Sequence, residues 1–292
     1  MPTPPPRAWR LIRDDHLPAP DNMARDEAIF EAVGSGGQPA TLRLYGWAPP
    51  AVSLGYFQAL SGSVNLTALR RRGFGLVRRP TGGRAIAHHH EVTYSVCIRT
   101  EELGVGDGVL RSYKELSRGL EAGLRLLGLP AAMPDRPRHT DDSPGERAVP
   151  EAARADLHAV CFARTTAGDM AVAGRKIVGS AQLRRAGTIL QHGSIPLRMD
   201  LAEHAEILCS SADTGTRAQL RSAAVGVAEA LGREVGFEEL AAAVVAGFTA
   251  ALGVSFDMAR LSDAESTRAA ELACTRYATD AWNSEPGRRG GG

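Results

Sequence analysis

Two side chains in this sequence combine chemical reactivity with a setting that could use it: Cys161 and Lys176, both in the stretch 160–196, VCFARTTAGDMAVAGRKIVGSAQLRRAGTILQHGSIP. A cysteine thiolate attacks acyl carbonyls, and a lysine amine serves as a compact ammonium or, when tuned, as a base. Only Lys114 and Lys176 are lysines among the 34 basic residues; the rest are arginines. A lysine kept against that bias is one that arginine, always charged, does not replace. Lys114 falls in a helical run and is expected to be solvated. Lys176 opens a strand that continues into Gly179-Ser180-Ala181, whose small side chains leave room for a group to lie across the sheet, although glycine in a strand can also mark a bulge. A free cysteine is ordinarily a small buried hydrophobe. Cys97, Cys209 and Cys274 are assigned to that state, and residue type alone gives Cys161 no other treatment.

A second place for chemistry is the loop Pro80-Thr81-Gly82-Gly83-Arg84, reached from a strand over 75–79. Paired glycines let backbone amides approach an anion, and Arg79 and Arg84 supply charge; a plain turn is the alternative. Arg70-Arg71-Arg72 with Arg78-Arg79 reads as a solvated face or as a dock for an acidic partner. Three adjacent histidines, His88 to His90, cannot all face one metal on a strand, so a partly exposed strand end is expected there and no metal site. The cysteines form no CxxC pair, which argues against zinc and against a disulfide framework, and there is no GxxxxGK[ST] phosphate loop.

These residues need a frame. The chain has 292 residues, enough for one large α/β domain or two small ones, and its net charge of +1 gives no global pull toward nucleic acid or anionic membrane. The N-terminus lacks the apolar core of a signal peptide, and the uncharged run 240–256 is shorter than a membrane span, so a cytoplasmic protein with a core helix there is expected. Alternation and turn signals predict strands over 9–13, 41–47, 51–56, 75–79 and 91–98. A β-meander over 170–173, 176–184 and 188–197 follows, broken at Gly174-Arg175 and Ala186-Gly187. Helical spacing predicts a helix capped by Asn22, and others over 66–72, 112–127, 201–208, 216–231, 237–252 and 263–282. Residues 134–155, dense in Pro, Arg and Asp, are expected to be a mobile segment gating the stretch around Cys161.

Read together, PDNMARDEAIF (20–30), RLYGWAPPAVSLGYFQ (43–58), GLVRRPTGGRAIAH (75–88), EVTYSV (91–96), VCF (160–162), GRKIVGSAQLRRAGTILQHGSI (174–195) and RYATDAWN (276–283) resemble the LipM-type octanoyltransferases of the lipoate-protein ligase and biotin-protein ligase superfamily. The resemblance implies an α/β (α+β) fold: a mixed sheet flanked by helices, with a smaller second sheet. It implies one catalytic domain over 1–285, ending in a helix over 263–282 and a disordered tail at 286–292. The implied activity moves octanoyl from acyl carrier protein to a lysine of a lipoyl domain or of the glycine-cleavage H protein, in a monomer, with no cofactor, nucleic acid or membrane. Cys161 matches the acyl-accepting cysteine and Lys176 the active-site lysine. Arg79, Thr81, Gly82, Gly83, Arg84 and His88 match the segment lining the acyl and phosphopantetheine or nucleotide pocket. Gly179, Ser180, Ala181, Gln182 and His192 complete the implied substrate-binding set. The chain differs from the family at His89, where aspartate is usual, and at 163–169, where ARTTAGD replaces an aromatic-rich DAPSWYE and keeps only the acid, Asp169. Other readings of the same residues are an ATP-dependent lipoate ligase that does not need Cys161, an amidotransferase working between lipoyl-bearing proteins, and a non-catalytic carrier-binding protein.

Overall fold

The computed structural model describes residues 7–106, 108–133, 169–208 and 214–287. The elements in order are β1 (Arg7–Leu17), α1 (Ala19–Gly34), β2 (Thr41–Trp47), β3 (Ala51–Leu54), α2 (Leu66–Arg71), β4 (Gly75–Arg78), β5 (Ile86–His88), β6 (Glu91–Arg99), α3 (Thr100–Leu103) and α4 (Val109–Leu126). After them come β7 (Met170–Val172), β8 (Arg175–Arg185), β9 (Thr188–Pro196), α5 (Leu201–Leu208), α6 (Thr214–Ala223), α7 (Val227–Leu231), α8 (Phe237–Leu252), β10 (Val254–Ala259) and α9 (Asp263–Leu272). A π-helical turn (Ala273–Tyr277) and α10 (Asp280–Ser284) follow. The segment 134–155 lies outside the described residues.

A seven-stranded mixed sheet runs β10-β1-β2-β6-β9-β8-β7, and a three-stranded sheet runs β4-β3-β5. In the large sheet β1 is parallel to β10 and β2, whereas β2, β6, β9, β8 and β7 pair antiparallel in turn. The meander is present. Its first turn is Ala173-Gly174 rather than Gly174-Arg175, with φ of 49° and 80°; Ala186-Gly187 forms the second, with 48° and 73°. Positive φ at both central residues is what a two-residue hairpin requires, because that turn's twist matches the strands it joins.

The strand alternation of β6 sends Val92, Tyr94, Val96 and Ile98 to one face, where they pack with Leu116, Leu120 and Leu124 of α4 and Leu240, Val244 and Phe248 of α8. Cys97 points to the other face, against Ile29, Phe30 and Val33 of α1. The helices α4 and α8 touch through glycine. A Cβ on Gly247 would sit 2.2 Å from Gly123 N and 2.3 Å from Gly119 O, so only hydrogen fits.

Several boundaries differ from the sequence expectation, each for a physical reason. The helix expected to start at Asn22 starts at Ala19. Proline tolerates the first turn, where its missing N–H costs nothing, and Asn22 is buried inside, donating from Nδ2 to Leu17 O and Gly46 O. The apolar run 240–256 is not one helix: Gly253, at φ 64°, ends α8, and Val254–Ala259 becomes the edge strand β10. The helix expected over 216–231 divides at Gly226, and that over 263–282 divides at Thr279, which caps α10. Cys274 is exposed rather than buried, and Cys209 lies outside the described residues. No described helix is long and apolar enough to cross a membrane.

Candidate active site

A cleft opens where the glycine loop after β4 faces the centre of the large sheet. Trp47, Ser53, Arg79, Gly83, Ile86 and His88 form one side, and Thr93, Gly179, Ser180, Ala181 and His192 to Ser194 the other, with Met23 and Tyr45 between; it holds about 400 Å³ including its mouth. Small residues open it. Gly83 adopts φ 97°, and a Cβ on Gly55 would collide with Gly83 O at 1.9 Å, so the loop lies directly against β3.

Two chains of carboxylate, imidazole and hydroxyl flank the cleft. In the first, His192 Nδ1 lies 3.0 Å from Asp26 Oδ2 and His192 Nε2 lies 2.7 Å from Thr81 Oγ1. In the second, His88 Nδ1 is 2.8 Å from Glu91 Oε1 and His88 Nε2 is 2.7 Å from Ser53 Oγ, with the imidazole stacked on Trp47 at 4.0 Å. Burial alone would raise the Asp26 carboxyl, but Arg43, 2.8 Å away, and His192 outweigh it and hold it below the usual carboxylate range. Glu91 behaves alike: burial opposes ionisation, and His88, Ser194 and Thr93 together prevail. Burial lowers His192 in spite of Asp26, so the ring is neutral. An ionised carboxylate only accepts, so the ring donates from Nδ1 and its Nε2 accepts the Thr81 hydroxyl proton. Arg43 is itself enclosed, donating to Asp14, Asp26 and both Asn22 oxygens while lying 3.8 Å over the Tyr45 ring.

Lys176 is not among the residues lining this cleft; it lies on β8 three positions before Gly179, which does line it. Its Nζ is 2.9 Å from Asp169 Oδ2, both side chains fully enclosed. The pairing of β7 with β8 slips between Met170 and Ala171, which stand opposite Val178 and Lys176, so a bulge lies beside the lysine and bends the strand there. Cys161 lies outside the described residues, as do 163–168.

The other expected residues divide. Arg79, Gly83, His88, Gly179, Ser180, Ala181 and His192 line the cleft, and Thr81 anchors its loop. Gln182 does not line it: its amide bonds Gln191 and accepts from Ser112 on α4. Gly82 and Arg84 give their carbonyls to Arg79, whose guanidinium also reaches Ser53 O and Oγ. Arg79 thus shapes the loop from inside instead of presenting charge on its surface. Arg78 is likewise buried, among the carbonyls of Gly55, Tyr56, Gln58, Trp282 and Asn283. The expected basic face shrinks to Arg70–72, where Arg71 and Arg72 already pair with Glu206. His88 is enclosed rather than a partly exposed strand end, and among the described residues no three His, Cys, Asp or Glu side chains are grouped so as to hold a metal ion. Asp26, Arg43, Ser53 and Glu91 were not expected. For two of them a signal was present: Asn22 and Asp26 stand four apart on the helix face that carries Met23, Ile29 and Val33, and Glu91 opens a strand whose alternate residues Val92, Tyr94, Val96 and Ile98 are apolar.

Comparison with known proteins shows the family and the fold. Residues 18–249 match the model of the lipoyl protein ligase A/B catalytic domain. The chain is 46% identical over 278 residues to Octanoyltransferase LipM of Symbiobacterium thermophilum, covering 94% of this chain and 97% of the relative. It is 40% identical over 283 residues to Octanoyltransferase LipM of Kyrpidia tusciae, covering 95% and 98%. A solved bi-partite lipoate protein ligase from Thermoplasma acidophilum has the same fold, with a TM-score of 0.77 at 23% identity over 97% of this chain and 98% of that one. This chain belongs to the lipoyl protein ligase A/B catalytic domain family.

Proposed function

We propose that this protein is an octanoyltransferase of lipoate assembly, a monomer that takes octanoyl from acyl carrier protein onto Cys161 and passes it to a lysine of a lipoyl domain or of the glycine-cleavage H protein. The observation that carries this reading is the 46% identity to an octanoyltransferase across nearly the whole of both chains. The cleft supports it, because a narrow space backed by Gly179, Ala181 and Gly193 suits an unbranched acyl chain.

The donor is a thioester, already activated, so exchange onto a thiolate needs no ATP. The Cys161 sulfur attacks the acyl carbonyl, the carrier's thiol leaves and takes a proton, and the acyl group rests as a second thioester. A neutral acceptor amine then attacks the same carbon, the C–S bond breaks as the amide forms, and the departing Cys161 thiolate takes up the proton that the amine loses. Lys176, held by Asp169, supplies the cation that favours both the thiolate and the oxyanion. Burying about six methylenes contributes roughly 5 kcal/mol to holding the chain. One methylene more or less changes that little, so length selection requires a closed pocket wall.

Incubation with octanoyl-acyl carrier protein without ATP, followed by intact mass and peptide mapping, tests the reading. An octanoyl adduct on the Cys161 peptide that is lost on adding a lipoyl domain is the expected result. Acceptor modification only with free octanoate and ATP, surviving Cys161→Ala, identifies a ligase and overturns it.

A further inference from the structure

The two carboxylate–imidazole–hydroxyl chains have a common plan that the transfer chemistry leaves unused. Each contains one bond that crosses between the sheets: His192 of β9 reaches Thr81 in the loop of the small sheet, and Glu91 of β6 reaches His88 of β5. In each, a buried carboxylate fixes Nδ1, which leaves Nε2 directed at a hydroxyl on the small sheet or its loop. The carboxylates are in turn over-determined. Asp26 takes Arg43 and the Tyr45 hydroxyl as well as His192, and Glu91 takes Thr93 and Ser194 as well as His88. A hydroxyl so held cannot shift without breaking a buried hydrogen bond. Thr81 immediately precedes Gly82-Gly83, and the Cβ position of Gly83 is only 4.0 Å from the Ala181 Cβ across the cleft. The gap between loop and strand is therefore set by where Thr81 is pinned.

We propose that His192, oriented by Asp26, is a positioning residue that fixes Thr81 and so sets the width of the cleft between the Gly82-Gly83 loop and Gly179–Ala181, with His88 and Glu91 doing the same for Ser53 on the same wall as the loop. The proposal rests on the acyl-transfer reading for its kinetic readout and is independent of it for its spectroscopic one. The duplication favours positioning over a nucleophilic triad at Ser53: the same constellation recurs with a threonine hydroxyl that faces His192 and does not itself line the cleft.

The test compares Thr81→Val, which keeps shape and removes the hydroxyl, with Thr81→Ser, which keeps the hydroxyl. Thr81→Val is expected to lower kcat/KM for octanoyl-acyl carrier protein by about tenfold, chiefly through KM, and to narrow the discrimination between octanoyl and decanoyl donors. Thr81→Ser is expected to retain both. The ¹⁵N spectrum of the histidine rings, with His192 assigned through His192→Gln, is expected to show a protonated Nδ1 and an unprotonated Nε2 at neutral pH, and to change in Asp26→Asn. An unprotonated Nδ1 in the wild type, or a Thr81→Val enzyme with unaltered KM and chain-length profile, overturns the proposal. So does labelling of Ser53 by an alkyl fluorophosphonate, which would make that serine a nucleophile. A wild-type enzyme that transfers no octanoyl defeats the functional reading alone, because the ring-nitrogen signals still decide the positioning.

Discussion

Replacing Asp169 by asparagine removes one negative charge from a pair in which the ammonium and carboxylate are 2.9 Å apart and both enclosed. Desolvating each ion costs several kcal/mol, and the pair persists because each offsets the other's cost; removing one partner leaves that cost uncompensated, typically about 3–5 kcal/mol. Asp169→Asn keeps the volume, so packing changes little and the electrostatic loss dominates. For a chain of this size 1 kcal/mol corresponds to roughly 2–4 °C, so a fall in Tm of about 6–20 °C is expected, with a matching fall in urea midpoint at unchanged m-value. Lys176→Met is expected to destabilise comparably, because it strands the carboxylate. The double variant Lys176→Met with Asp169→Asn is expected to be more stable than the sum of the two single effects predicts, since no charge then remains buried without its counterion. Thermal and urea unfolding of the four proteins provide the cycle. Additive single effects, or an Asp169→Asn protein as stable as wild type, would refute the reasoning that a desolvated pair holds Lys176 in place.

Gly247→Ala is expected to cost more than 3 kcal/mol or to prevent folding, because its methyl group meets the backbone of Gly123 and Gly119 at 2.2–2.3 Å, and backbone cannot turn aside; soluble yield and urea midpoint check this. Ala186→Gly is expected to stabilise by about 0.5 kcal/mol, since an exposed alanine at φ 48° is relieved by more than glycine's added unfolded-state entropy. Stability is expected to fall with acid in two stages. His192 and His204 are buried with folded pKa values below the ordinary 6.5, so the unfolded chain binds more protons below that pH and stability declines first there. Asp26 and Glu91 have depressed folded values, so their contribution is complete above the ordinary carboxylate range and is lost as pH falls below about 4 through the folded values. Urea midpoints from pH 8 to pH 3 resolve the two stages, and a midpoint flat from pH 7 to pH 5 contradicts the first.

Local signals made the meander legible, because its hairpins are written in adjacent residues: two-residue turns with glycine second, between runs of strand formers. The helix Phe237–Leu252 was legible too, since an apolar run with acids in its first turn and glycine after its last residue states both ends. Beyond Gly253 the same apolar composition continues as β10, and only the free edge of β1 decides that Val254–Ala259 is strand. The arginines show the limit most clearly. Arg78 and Arg79 read as surface charge, yet each is enclosed by backbone carbonyls supplied from distant segments, Trp282 and Asn283 for one and the glycine loop for the other. The cleft residues His88, Gly179, Ala181 and His192 were placed by motif, without their partners. Asp26 and His192 stand 3.0 Å apart though 166 positions separate them in the chain, and no periodicity carries that pairing. Sequence fixes which residue types and local turns are available; the order β2-β6-β9-β8 brings the carboxylates, imidazoles and hydroxyls to one cleft, because hydrogen bonding between strands acts across space and ignores distance along the chain.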